Sequence, residues 1–242
     1  MNIIELEETA STNTYLRGMT DAPHATVIAA RRQSAGRGQR GNTWESEPDA
    51  NLTFSILVRP AGIPPVKQMA ISRAVSLAIV RRLDRYLPDG MEASIKWPND
   101  IYVGDRKICG ILIEHVLTAG RIERTVIGAG ININQKAFYS DAPNPVSLTQ
   151  LTGLTYPLDS MLREVCADII SLVEAEDRAG GDLTESDYMS RLWRRDGYHP
   201  YRDAAGDFTA RIADVAPDGT LTLLRLDNTL SRYAFKEVTA IL

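Results

Sequence analysis

Residues 33–44, QSAGRGQRGNTW, bring three glycines, two arginines and a tryptophan into one short stretch. Gly36, Gly38 and Gly41 let backbone N–H groups approach an anion with no Cβ in the way. Arg37 and Arg40 supply planar cationic forks, and Trp44 offers a stacking face. This composition suits a loop wrapping a phosphate, and equally a solvated hairpin tip. It is not a Walker loop: Gly36, Gly41 and Thr43 fit that pattern, but Asn42 stands where its lysine belongs and 44–48 makes a poor helix start.

Other stretches carry complementary groups. Lys107 lies near the start of an otherwise apolar strand, where an ammonium is costly without an anionic partner, although it could snorkel from an edge. Trp97-Pro98-Asn99-Asp100 is a fixed turn presenting an amide and a carboxylate, or simply an Asx turn. Ser11, Thr12 and Asn13 precede an apolar-spaced segment, so one hydroxyl is expected to cap a helix there. A helix start can also turn hydroxyls toward a ligand. Gly128-Ala129-Gly130-Ile131-Asn132 ends a strand with two glycines that invite close backbone approach; without a third glycine or a following helix it is no Rossmann fingerprint.

A cationic loop, one lysine and a polar helix start suit activation of a carboxylate by a nucleotide. The two anions repel each other, so a lysine and an arginine must neutralise both and stabilise the charge that builds on the α-phosphate, with Mg²⁺ escorting the pyrophosphate. No nucleophilic Ser or Cys triad is needed. His24, His115 and His199 show no metal-ligand spacing, and Cys109 and Cys166 lie in apolar runs as small hydrophobes of a reducing compartment.

The elements that must position these residues follow from pattern. Strands are predicted over 2–7, 25–31, 51–59, 101–103, 107–113 and 122–129, with hairpin turns at Gly104-Asp105 and Ala119-Gly120. Helices are predicted over 66–87, 147–151, 159–179 and 184–195, Gly180-Gly181 stopping the third. Arg81, Arg82 and Arg85 fall near the end of the first of these, as solvated charge complementing its dipole. After Arg195 the chain changes to short strands over 208–213, 221–226, 230–233 and 238–241, a small β appendage packed on the rest. The fold class is therefore α+β.

The 242 residues bound this to one large domain with a small appendage, and 44% hydrophobic content is enough for a core. A formal charge of −4 argues against nucleic acid as the main partner. Glu5, Glu7 and Glu8 do not suit a secretory signal, and no apolar run approaches a membrane span, which points to a cytoplasmic protein.

The motifs QSAGRGQRGNTW, KWPNDIYVGDRKICGILIE and GAGIN, preceded by STN, resemble those of biotin protein ligases, over the whole chain. The resemblance implies a class II aminoacyl-tRNA synthetase-like mixed sheet with helices in a catalytic domain over 1–195, and a C-terminal SH3-like β-barrel over 196–242. It implies that biotin and ATP give biotinyl-5′-AMP and pyrophosphate, after which biotin passes to one lysine of a biotin carboxyl carrier domain. Ser11, Thr12, Asn13, Gln33, Gly36 and Arg37 would then hold biotin, with Gly110, Gly128 and Gly130 lining its pocket. Lys107 would bridge the biotin carboxylate and the α-phosphate, with Arg37 and Arg40 as further catalytic cations. Gly38, Gln39, Arg40, Gly41 and Trp44 match positions around ATP, as do Asn99, Asp100 and Asn132; the ligands of Mg²⁺ stay unassigned. The family loop often has a basic residue after GRG, where this chain has Gln39 with Arg40 next to it, so either side chain could reach the phosphates. Ser11 comes too early to leave room for the helix-turn-helix of the repressor members, and a homodimer is compatible with the family. The alternatives are a lipoate or octanoate ligase, whose histidine-bearing glycine motif is not found, and a non-enzymatic biotin-sensing DNA-binding regulator.

Overall fold

The computed structural model describes residues 1–39, 42–139 and 144–242. Alternation of side chains between two buried faces organises its main sheet. The strands are β1 (Asn2–Thr9), β2 (Thr26–Gln33), β3 (Leu52–Val58), β4 (Ala93–Lys96), β5 (Asp100–Val103), β6 (Arg106–Thr118) and β7 (Arg121–Ile131). Their order is β1-β2-β3-β7-β6-β5-β4. The pair β1 and β2 runs parallel and the other neighbours antiparallel.

On one face, Phe54, Ile56, Ile127, Ile131 and Cys109 join the main core with two long helices, α2 (Met69–Asp84) and α4 (Leu158–Arg178). The α4 residues Met161, Leu162, Val165, Cys166, Ile169 and Val173 recur at helical spacing and are buried. Each such side chain taken from water contributes about 1.5–3 kcal/mol. On the other face, the short helix α1 (Thr12–Gly18) packs through Leu16 against Ile28, Leu57 and Val126. That small helix leaves part of its face of the sheet uncovered, and the candidate site lies there. Among the described residues no helix is long and apolar enough to cross a membrane.

Two further helices, α3 (Leu148–Thr152) and α5 (Glu185–Ser190), are short. Ser147 caps α3 with a capping box shared with Gln150. The expected helix over 184–195 stops early for a tertiary reason. Ile95 N–H donates to the Arg191 carbonyl and Trp193 N–H to the Ile95 carbonyl, so the chain after Ser190 pairs alongside β4 instead. The expected helix over 66–87 divides into a 3-10 turn, Pro65–Lys67, followed by α2. Arg82 is no free capping charge: it pairs with Glu164 and Asp168 of α4 and is mostly buried. Ser11 does occupy the N-cap of α1, but its side chain makes no capping bond.

The C-terminal strands are β8 (His199–Asp203), β9 (Gly206–Val215), β10 (Leu221–Arg225), β11 (Leu230–Tyr233) and β12 (Val238–Ala240). They form an antiparallel sheet in the order β11-β10-β9-β8-β12. No pairing joins β11 to β12 among the described residues, so the hydrogen bonding leaves an open sheet where a closed barrel was expected. The sheet is docked on the rest. Trp97 Nε1–H donates to the Gly219 carbonyl at 3.0 Å, its indole packs edge-on to Phe235, and Met69 N–H donates to the Pro217 carbonyl. The observed class is α+β.

Candidate active site

Glycines make the floor. Gly110 of β6 and Gly130 of β7 face each other across the ladder. A Cβ on Gly130 would lie 2.3 Å from the Trp44 indole, and one on Gly110 would lie 2.9 Å from it. Bare backbone is therefore required for the indole to lie flat on the sheet. The loop delivering Trp44 is a small hairpin: Arg37 pairs with Thr43, Gly38 N–H donates to the Asn42 carbonyl, and Trp44 N–H donates to the Gly36 carbonyl. Gly36 is needed because a Cβ there would lie 2.6 Å from the Trp44 carbonyl oxygen. The two readings of the loop thus merge, since it is a hairpin and it also lines the cavity. Arg40 and Gly41 lie outside the described residues.

A buried polar knot closes one end. Thr12 donates from its backbone N–H and its hydroxyl to Gln33 Oε1, at 2.8 and 3.3 Å. Ser55 Oγ donates to Asn13 Oδ1 at 2.5 Å and lies 2.8 Å from Thr12 Oγ1. Asn13 Nδ2 in turn donates to the Leu112 carbonyl and to Glu114 Oε2. Gly128 admits this arrangement, because a Cβ on it would come within 2.1 Å of Asn13 Oδ1. Ser11, Thr12, Asn13 and Ser55 are all nearly inaccessible to solvent. Ser55 was not anticipated. Its signal is a hydroxyl that shares the second face of β3 with Thr53 and Leu57, where burial makes a polar group costly unless paired.

Beside the glycine floor, Lys107 Nζ sits 2.8 Å from Asp100 Oδ1 and 5.7 Å from the centre of the Trp44 ring. The anionic partner that Lys107 required is thus Asp100. The turn before it is clamped to β6 by Asn99, whose Nδ2 donates to the Ile111 carbonyl while its own carbonyl accepts from Ile111 N–H. Cys109, on the core face of β6, is fully buried and burial pushes its thiol far above the ordinary range, so it takes no part as a nucleophile.

These groups line one cavity of about 840 Å³, which extends from the knot past the glycine floor to Tyr201 and Leu221 of the C-terminal sheet and to Phe235 between β11 and β12. It brings together Ser11, Thr12, Asn13, Gln33, Arg37, Gly38 and Gln39 with Trp44, Asn99, Asp100, Lys107, Gly110, Gly128 and Gly130. Asn132 departs from expectation. It is buried behind the wall, its Nδ2 donating to the Val146 carbonyl, and it does not line the cavity. Lys96, Tyr102 and Trp193 line it without having been singled out beforehand. Among the described residues the wall carries Arg37, Lys96, Lys107 and Lys236 against a single carboxylate, Asp100. A surplus of positive charge in a concave, partly apolar site selects a polyanion with an organic body.

The chain matches the model of the biotin/lipoate A/B protein ligase family over residues 6–132. It is 33% identical over 138 residues to the bifunctional ligase/repressor BirA of Bacillus spizizenii, a match spanning 55% of this chain and 41% of that protein. With the biotin–[acetyl-CoA-carboxylase] ligase of Mycobacterium tuberculosis it shares 32% identity over 187 residues, 72% of this chain and 66% of the other. Its fold is that of the biotin protein ligase from Aquifex aeolicus solved in complex with biotin and ATP, with a TM-score of 0.81 over 99% of this chain and 98% of that one, at 22% identity.

Proposed function

The chain belongs to the biotin/lipoate A/B protein ligase family, and from that premise we propose that it is an ATP-dependent ligase that activates biotin and transfers it to a lysine of a biotin carboxyl carrier domain. The observation that carries this is one cavity holding a polar knot at one end, a glycine floor on which the Trp44 indole rests, and the Lys107–Asp100 pair beside that floor. The hydroxyls and amides of the knot suit the ureido ring of biotin. They would be wasted on the apolar end of a lipoyl or octanoyl chain, which is why biotin is preferred within the family.

On this reading Ser11, Thr12, Asn13, Gln33, Gly36 and Arg37 bind biotin, with Gly110, Gly128 and Gly130 lining its pocket. Gly38, Gln39, Arg40, Gly41, Trp44, Asn99 and Asp100 surround ATP. Residues 1–195 are the catalytic part, akin to class II aminoacyl-tRNA synthetases, and 196–242 the SH3-like module. The docked C-terminal sheet forms the far wall of the cleft.

In the first step a biotin carboxylate oxygen attacks the α-phosphorus. The bond from that phosphorus to the bridging oxygen breaks, and pyrophosphate leaves with the electron pair. Lys107 and Arg37, with Arg40 as a further cation, neutralise the approaching anions and the charge that grows on the phosphoryl oxygens. In the second step a carrier lysine, as the free amine, attacks the acyl carbon; AMP leaves and the nitrogen loses a proton. Mg²⁺ would neutralise the pyrophosphate. Among the described residues no group of three ligating side chains exists to cage it, but the single cavity carboxylate, Asp100, fits the usual mode of one carboxylate plus phosphate oxygens.

The test is incubation of the full chain with biotin, ATP and a recombinant carrier domain. A mass gain of one biotinyl group on the carrier, absent without ATP, is expected. No gain with any biotin carboxyl carrier domain would overturn the transfer step.

A further inference from the structure

Lys96 closes the end of β4, and its backbone stands opposite Asp100 across the turn. The carboxylate between the two lysines pairs with Lys107, and no carboxylate among the described residues lies within ion-pair reach of Lys96. The Lys96 ammonium is held in another way. It donates to Tyr102 OH at 3.2 Å and lies 5.0 and 5.9 Å from the ring centres of Tyr102 and Trp193. That second ring is itself fixed, by its Nε1–H donating to Asp105 Oδ1 at 3.1 Å and by Arg194 stacked at 4.1 Å. An ammonium has three donors, and one is used. A lysine that merely snorkelled from the edge of the sheet would turn its head to bulk water, whereas this one lines the cavity against aromatic faces that position it without neutralising it.

Lys96 and Lys107 stand on strands two apart, about 10 Å at the backbone. With Lys107 at the α-phosphate, Lys96 is placed further along an extended polyphosphate. Resting on the ligase reading above, we propose that Lys96 grips the terminal phosphates of ATP and the departing pyrophosphate, making it a leaving-group residue of the first step only. Transfer from the adenylate, which contains no pyrophosphate, does not use it.

The experiment compares the full chain with Lys96→Gln and Lys96→Arg in three assays: pyrophosphate release against ATP concentration, inhibition of that release by added pyrophosphate, and transfer from supplied biotinyl-5′-AMP to the carrier domain. Calorimetric biotin binding checks that each variant is folded. Loss of a charged hydrogen bond is expected to raise the KM for ATP by about tenfold to a hundredfold in Lys96→Gln and to weaken pyrophosphate inhibition in parallel. Lys96→Arg should recover part of both, and transfer from the adenylate should stay near the wild-type rate. An unchanged KM and inhibition, or an equal loss in the transfer assay, overturns the proposal while leaving the ligase reading standing. Absence of pyrophosphate release by the wild-type protein overturns the reading itself.

Discussion

Lys107 and Asp100 hold each other at 2.8 Å on neighbouring strands, in a cavity whose other charged side chains, among the described residues, are cations. A lysine so placed can meet an incoming anion by sharing a partner it already has. Its work falls mainly in the transition state, where charge builds on the α-phosphate. Lys107→Ala is expected to slow adenylation by roughly 10²–10³, about 3–4 kcal/mol, while biotin affinity measured by calorimetry changes little. Lys107→Arg should restore only part of the rate, since a planar fork does not replace a compact charge in a tight gap. Near-normal pyrophosphate release by Lys107→Ala would remove the residue from its role. Gly128→Ala tests the knot end: its Cβ would press within 2.1 Å of Asn13 Oδ1 and force the knot apart. Biotin affinity should fall by about tenfold or more, with stability lowered by about 1–3 kcal/mol; unchanged calorimetry would contradict the knot as the biotin end. At this scale the need of Lys107 for an anion was legible, because a charge in an apolar strand demands explanation. Ser55 and Lys96 were not, since their meaning depends on what faces them from distant strands.

The alternation of β3 and the turns at Gly104-Asp105 and Ala119-Gly120 led to strands and a hairpin register that the structure reproduces. The positive φ of 50° at Ala119 and 75° at Gly120 shows why that pair closes the β6–β7 hairpin. Local sequence was misleading where tertiary pairing took over. The stretch after Ser190 has helical character but lies beside β4, while β4 and β8 are short strands with little pattern of their own. The glycine-rich hairpin is expected to change with ligand: its backbone and arginines gain partners when an anion arrives. Hydrogen exchange over residues 33–44 should slow when biotin and ATP are added together. Unchanged exchange would make the loop a fixed wall.

Across the whole molecule, the uncovered part of one sheet face and the docked C-terminal sheet together enclose the cleft. The α+β class and the β appendage could be read from the order of patterns; barrel closure could not, because closure depends on pairing between chain-distant edges. One global property follows from His115, half-buried on β6 with Thr125 at 2.9 Å from its Nδ1. Burial holds its pKa below the ordinary value of about 6.5. The unfolded chain therefore takes up a proton there before the folded one does. Stability is intact above about 6.5 and is lost as pH falls through the lower folded value. Urea denaturation at pH 7.5 and 5.5 should show a larger acid loss for wild type than for His115→Gln; equal losses would contradict this. What the cavity activates decides its chemistry. Pyrophosphate release should be measured with ATP and, separately, biotin, lipoate and octanoate as the carboxylate. Release with biotin alone is the expected result, and turnover supported equally by lipoate or octanoate, or by none of the three, would contradict it.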